Sequence, residues 1–305
     1  EESCESLGVT NEKNVCSVET GTSVAGFPSW AKMPVITAPV GGPVSGNINA
    51  VAVNAKHNDT LPEVMRTIAN SDPDFIAVNE VSDISLSRME SITPGYGAWR
   101  DNSPDGTDGN PAQAIGNMIM WKKDKWTLMQ SGRVKITEDD KPVFGGLNPT
   151  WDRFAMWGVF KRKSDGAIVP FVATHMMTNP KYRAQHGNPP MTRPQQYDLS
   201  MDILLQLVAV LSAHGPVIVG GDMNTHGEEG DWAAIPRMEA AGFGWASDVD
   251  VMHVFHPKGT KKVSHRLIPV PLKGDHSNGA QFIRIDMNGV GPGAIDGAGS
   301  VTTTP

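Results

Sequence analysis

The stretch Pro216–Asn224, PVIVGGDMN, decides how this chain is read. Val217, Ile218 and Val219 form a contiguous β-branched run, the composition of a strand covered on both faces. Gly220 and Gly221 then let the backbone crowd against a neighbour or turn sharply. Asp222 and Asn224 stand two apart, on one face of an extended chain, so an acceptor-only carboxylate and an amide with donors converge on one spot. Such a pair can hold a phosphate and its attacking water. It can equally be an Asx turn closing a strand, and the stretch alone leaves both readings open.

Elements on either side carry helical and extended periods. Gln195 to Ala213 reads as a long helix with Leu199, Ile203, Leu204, Leu207, Val208 and Leu211 as its stripe, ended by Gly215 and Pro216. Asn47 to Lys56 reads as a first strand. A helix follows in which Thr60 and Glu63 have capping-box spacing and Pro62 fits the first turn, with Leu61, Val64, Met65 and Ile68 apolar. Phe75 to Val81 is a second apolar strand with Glu80 near its end. Thr93 to Gln113 and Asn179 to Pro194 read as loops. Further strands are expected at 117–121, 126–134, 154–161, 168–175, 249–255, 263–270 and 280–287, with a short helix at 231–241 and a hairpin turn at Ser164, Asp165 and Gly166. The expected organisation is an irregular N-terminal extension over 1–46, one catalytic domain over 47–288, and a flexible tail over 289–305.

The chain has 305 residues, 39% hydrophobic and 19% charged, which is ordinary for one large domain. No uninterrupted apolar run approaches the roughly 18 residues needed to cross a bilayer, so a soluble protein is expected. A net charge of −7 argues against a broad, sequence-blind nucleic-acid surface but leaves room for a local basic groove. Cys4 and Cys16 are the only cysteines, and a local disulfide between them is the simplest reading, with free thiols the alternative. The disulfide reading favours a secreted protein. Because the chain begins at Glu1, a signal peptide could already have been removed. A monomer is expected.

Several apolar runs end on isolated polar residues: Asn54, Glu80, His175, Asp222 with Asn224, Asp250, and Asp275 with His276. A buried strand has no structural need to finish this way so often. Each residue alone has a plain explanation: a turn former at Asn54, a solvated strand end at Glu80, a hydrogen-bonded core histidine at His175. Their ordered recurrence carries the functional reading.

With those residues in view, the chain resembles the endonuclease/exonuclease/phosphatase superfamily, the DNase I-like metal-dependent phosphohydrolases. The resemblance spans roughly 47–287. It rests on Asn54 in VAVNAK, Glu80 in FIAVNEV, Asn117 in IGNMIMW, Arg153 in WDRFAMW, His175 in FVATHMM, Asp222 and Asn224 in VGGDMNTH, Asp250 in VDVMHVF, and Asp275 with His276 in KGDHSNG. It implies a four-layer α/β sandwich, two mixed β-sheets flanked by helices. The pattern departs where Asn79 stands in place of the family's glutamine, and where Gly274, Ser277 and Asn278 surround Asp275 and His276. Asp248 is a rival to Asp250 for the histidine-orienting carboxylate.

The same resemblance implies the chemistry. Hydrolysis of a phosphate ester needs an in-line water, neutralisation of the equatorial oxygens and stabilisation of the leaving oxygen. Glu80 is the primary ligand for Mg²⁺, with Mn²⁺ or Ca²⁺ as alternatives, and Asn54 and Asp275 contribute directly or through water. His276, held by Asp250, is one half of an acid and base pair. His175, Asn224, His276 and Arg153 contact the phosphate, Asp222 and Asn224 orient water and phosphate oxygens, and Asn117 supports the site. A histidine or a carboxylate takes the proton. Arg153 also has a plain reading as a surface strand arginine.

The expected partner is a phosphate-ester substrate, with nucleic acid as one class. Lys56, His57, Lys181, Tyr182 and Arg183 are candidates to grip it, while Asp83, Glu228, Glu229 and Asp231 oppose a long polyanion. No exposed aromatic hairpin marks membrane insertion, and the Trp and Met residues of 151–157 read as core. The leading reading is a phosphodiesterase with nuclease-like chemistry. The alternatives are a phosphatase or phospholipid headgroup hydrolase of the same fold, and a non-catalytic binding module.

Overall fold

Two short strands from far-apart parts of the chain, each followed by a helix and a parallel partner, set the plan of the molecule. The computed structural model describes residues 21–55, 60–81, 84–100, 117–138, 152–181, 191–226, 229–246, 250–272 and 279–293. In chain order the described elements are β1 (Gly21–Ser23), β2 (Lys32–Pro34), β3 (Asn47–Asn54), α1 (Leu61–Asn70), β4 (Phe75–Asn79), α2 (Leu86–Ile92), β5 (Tyr96–Trp99), β6 (Met118–Lys122) and β7 (Trp126–Thr137). They continue with β8 (Arg153–Arg162), β9 (Ile168–His175), α3 (Arg193–Ser212), β10 (Ile218–Asp222), α4 (Ala234–Ala240), β11 (Gly244–Trp245), β12 (Met252–His256), β13 (Lys261–Ile268) and β14 (Ala280–Asp286).

One six-stranded sheet runs β13-β14-β3-β4-β6-β5 and the other β11-β12-β10-β9-β8-β7, while β1 and β2 pair separately. Each large sheet has one parallel pair, β3 with β4 and β9 with β10, and each pair is joined through a helix, as parallel strands require. The remaining pairings are antiparallel. Both sheets are therefore mixed, and both place the carboxyl ends of their parallel strands at the same rim.

The core explains the layering. Phe75 of one sheet stacks on Phe171 of the other at 5.1 Å and meets Phe160 at 4.9 Å and Trp126 at 4.8 Å. Burying each such side chain stabilises the sandwich by about 1.5–3 kcal/mol. The outer face of the first sheet is covered by Leu61, Val64, Met65 and Ile68 of α1 with Leu86 and Met89 of α2. The outer face of the second is covered by α3, with Ala31 and Met33 of the N-terminal segment in the same cluster. The result is the α/β sandwich that the family resemblance implies.

Close approach of the sheets depends on small residues. A side chain at Gly220 would meet Ala77 of the opposite sheet at 3.2 Å, and one at Gly221, whose φ is +153°, would collide with the Thr174 carbonyl at 1.8 Å. The glycine pair in PVIVGGDMN thus serves close approach within and between sheets.

Several local expectations change. Thr60 does not cap α1 with its hydroxyl: at φ −89° and ψ 7° it lacks the extended conformation of a capping residue, and it donates to the Pro271 carbonyl at 3.0 Å. The capping box belongs to Thr192 and Gln195, so α3 starts at Arg193. Part of the expected loop 93–113 is strand β5, because four residues are too few to show a period and pairing with β6 decides them. Within the segment 1–46, the described part carries β1 and β2, and Gln130 of β7 receives the Thr37 and Ala38 amides at 2.7 and 3.0 Å. At the other end Val44 bridges to Val290. Cys4 and Cys16 lie outside the described residues. No helix of the described residues is long and apolar enough to cross a membrane.

One buried imidazole gives the fold an acid sensitivity. His256 donates from Nδ1 to Thr260 Oγ1 at 2.8 Å, because the threonine proton goes to the Pro257 carbonyl. Burial pushes its pKa from 6.5 down to about 4, with the nearby Lys262 charge acting the same way. Between those values the unfolded chain takes up a proton that the folded chain refuses. Stability is therefore present above pH 6.5 and declines as the pH falls to about 4. Urea unfolding at pH 7 and pH 4.5 should show the wild type losing about 2–3 kcal/mol more than His256→Gln between the two conditions. Equal losses in both proteins would remove this assignment.

Candidate functional site

Strand direction gathers the polar residues. The rim holds the carboxyl ends of β3, β4, β9 and β10, and the starts of the antiparallel strands β6, β8, β12 and β14. Asn54 closes β3, Asn79 and Glu80 close β4, His175 closes β9 and Asp222 closes β10. Asn117 precedes β6, Arg153 opens β8 and Asp250 precedes β12. Every expected site residue within the described set therefore stands on one rim. Asp275 and His276 lie outside the described residues; Gly279, the first described residue after them, leads into β14 at the Asn54 end of β3.

Register then aligns them. Asn54 is opposite Asn79 in one sheet, and His175 is opposite Asp222 in the other. Asn54 Nδ2 donates across to Asp222 Oδ2 at 3.0 Å. His175 Nε2 lies 3.6 Å from the same oxygen, an ion-pair distance when the ring is protonated. Asp222 Oδ1 accepts the Asn224 amide at 2.9 Å. The Asx turn of the plain reading is present, and the same carboxylate stands at the rim. Donors on both oxygens fix the buried Asp222 carboxylate in an orientation from which it can position a water.

Asn79, which the sequence shows only as a departure from the family's glutamine, ties the rim together. Its Nδ2 donates to Asn117 Oδ1 at 2.8 Å and to the Thr174 carbonyl at 3.1 Å, and its Oδ1 accepts the Asp222 amide at 2.9 Å. Asn117 in turn donates to the Phe154 carbonyl at 2.8 Å. One amide side chain thus spans both sheets beneath the rim. The signal that finds it is the one used for its neighbours, a polar residue ending an apolar strand.

Two rim residues adopt the left-handed conformation rare outside glycine: Glu80 at φ 58° and Asn224 at φ 50°. Each costs roughly 1–2 kcal/mol unless its surroundings impose it. Asn224 is held by its amide bond to Asp222 and by Nδ2 donating to the Met176 carbonyl at 2.8 Å. Arg153 is buried rather than on a strand surface, which removes its plain reading. Asp250 accepts the Val251 amide at 2.7 Å through Oδ1, while its buried Oδ2 has no hydrogen-bond partner among the described residues. Phe154, Met156 and Trp157 are core, as expected.

The donor set suits a hard, hydrated cation. The half-buried Glu80 carboxylate and the amide oxygen of Asn54 are hard oxygen donors of the kind such an ion takes. Among the described residues no group of three or more His, Cys, Asp and Glu could hold a metal. Lys181, a candidate to grip substrate, pairs with Glu229 at 3.0 Å, its head exposed and the glutamate buried. Lys56, His57, Asp83, Tyr182, Arg183, Glu228 and Asp248 lie outside the described residues.

Asn79→Ala should lower stability by about 2–3 kcal/mol in urea unfolding, because the buried Asp222 amide, Thr174 carbonyl and Asn117 side chain would each lose their bond to it. A variant that unfolds at the wild-type midpoint would show that this amide does not hold the sheets together.

Known proteins place the arrangement. Residues 44–247 match the model of the Endonuclease/Exonuclease/phosphatase family. Similar solved structures include an endonuclease/exonuclease/phosphatase from Bacteroides vulgatus, at 15% identity and TM-score 0.57, covering 79% of this chain and 99% of that one. A mannosyl-6-phosphatase from Bacteroides thetaiotaomicron has 14% identity and TM-score 0.52, over 78% and 98% of the two chains. The catalytic domain of human Nocturnin, solved with a bound sulfate anion, has 12% identity and TM-score 0.54, over 80% and 96%. At these identities the likeness is one of fold. No match was found among curated proteins by sequence. The family match and the shared fold together make this chain a member of the Endonuclease/Exonuclease/phosphatase family, whose members are phosphoester hydrolases and generally depend on a divalent metal.

Proposed function

We propose that the protein is a secreted phosphodiesterase of nuclease-like chemistry that requires a divalent cation, Mg²⁺ foremost. The observation that carries this reading is the buried Asp222 carboxylate, fixed by Asn54 and Asn224 and set 3.6 Å from His175 at the rim both sheets share. Glu80, with Asn54 and Asp275, would hold the cation, which would supply neutralisation of charge on the phosphoryl oxygens. His175, Asn224, Arg153 and His276 contact the phosphate. Asp222 orients the attacking water in line with the leaving oxygen. Asp250 has a buried oxygen without a partner among the described residues, and an imidazole at His276 is the donor that suits it. Asn117 supports the site through Asn79 and through the Phe154 carbonyl beside Arg153. Export rests on reading Cys4 and Cys16 as a disulfide.

A second reading, hydrolysis of a smaller phosphate such as a monoester or a lipid headgroup, is favoured by one observation. Lys181 is neutralised by Glu229 and so offers little grip on a long polyanion.

Plasmid DNA, a bis-aryl phosphodiester, an aryl phosphomonoester and sphingomyelin, each assayed with Mg²⁺ and with chelator, separate these readings. Diester turnover should exceed monoester turnover at least about tenfold and vanish with chelator, and Glu80→Gln and Asp222→Asn should each lower kcat about a hundredfold or more with the fold intact. Undiminished turnover in both variants, or in chelator, sinks the metal-dependent reading. Turnover confined to the monoester favours the phosphatase, and turnover of nothing favours a binding module.

A further inference from the structure

Behind the rim, on α3, stands a phenol that none of the chemistry above uses. Tyr197 is wholly buried, its ring edge-on to Trp232 at 5.4 Å. Its hydroxyl lies 2.5 Å from the Met223 carbonyl and 3.1 Å from Thr225 Oγ1. A carbonyl can only accept, so the single phenolic proton goes to Met223, and the Thr225 hydroxyl must donate to the phenol. Thr225 Oγ1 in turn accepts the Ala234 amide at 3.3 Å, at the start of α4. The result is a chain of donors running in one direction, from Ala234 through Thr225 and Tyr197 to Met223. Burial pushes the Tyr197 phenol up, and the charges of Asp222 and Glu229 act the same way, so it stays a donor.

Any buried phenol needs a partner, and one carbonyl would suffice. Here the two contacts fall on either side of Asn224, the residue held at φ 50°. The Met223 amide is also bonded, to the Val251 carbonyl at 2.8 Å. Both peptide neighbours of Asn224 are thereby anchored from the core side, which is the over-determination a left-handed asparagine requires. Asn224 reaches Asp222 Oδ1 through its amide and Met176 through its side chain, so its placement sets how the carboxylate is presented.

We propose that Tyr197 is a positioning residue for this site, holding Asn224, and through it Asp222, in the conformation that phosphate contact requires. The inference rests on the proposed hydrolase reading for its catalytic consequence, though not for the anchoring itself. Tyr197→Phe removes only the hydroxyl. Tyr96→Phe is the matched control, because the Tyr96 hydroxyl donates to the Pro73 carbonyl at 2.6 Å at the opposite end of β4.

With whichever phosphoester the wild type turns over, Tyr197→Phe should lower kcat about 10- to 100-fold with KM within about twofold, while Tyr96→Phe leaves both unchanged. Combining Tyr197→Phe with Asn224→Ala should cost little more than Asn224→Ala alone, since both act through one contact. Hydrogen exchange at the Asn224 and Thr225 amides should accelerate about tenfold or more in Tyr197→Phe only. Unchanged exchange, wild-type kcat, equal losses in the two phenylalanine variants, or additive losses with Asn224→Ala would each overturn the assignment. A wild type that hydrolyses nothing would defeat the functional reading by itself, and the exchange result would still decide the anchoring.

Discussion

A single buried amide, Asn79, hydrogen-bonds to both sheets, and the geometry of the rim follows from that constraint. Its oxygen accepts the Asp222 amide and its nitrogen donates to Asn117 and to the Thr174 carbonyl. Apolar contacts such as Phe75 against Phe171 press the sheets together but tolerate sliding, because they are not directional. An amide with its donors and acceptor engaged is directional, so it sets the register in which one sheet meets the other. Asn54 adds a second tie, from the neighbouring strand to the Asp222 side chain.

That constraint has a packing precondition. The parallel strands can bring Asn54, Asn79, His175 and Asp222 within hydrogen-bonding reach only if the sheets approach closely just below the rim, and Gly220 opposite Ala77 permits it. Gly221, against the Thr174 carbonyl, permits the same closeness between β9 and β10. Polar residues at the rim and small ones beneath it are two sides of one requirement. Away from the rim, where no such residues need to meet, the interior fills with Phe, Trp and Ile.

Much of the site was legible because its residues interrupt apolar strands. Asn54, Glu80, His175 and Asp222 each end a run that buries well without them. Arg153 was ambiguous in sequence, since an arginine at a strand start is ordinarily solvated, and its burial resolves the ambiguity. Asn79 was legible only as a departure from the family's glutamine, because its partners Thr174 and Asp222 lie far along the chain in the other sheet. Tyr197 gave no sign at all: an aromatic residue in an amphipathic helix reads as core, and only the fold shows its hydroxyl reaching the β10 turn.

From the order of residues alone came the strand and helix plan, the family resemblance and the polar strand ends, because those are periodic or local features that the chain carries wherever it folds. What only the tertiary structure decided is which of those ends meet. The pairing of Asn54 with Asp222 spans 168 residues and that of Asn79 with Asp222 spans 143, and no local rule reaches so far. It takes two sheets, each with a parallel pair joined through a helix, to bring such distant amides to one aspartate.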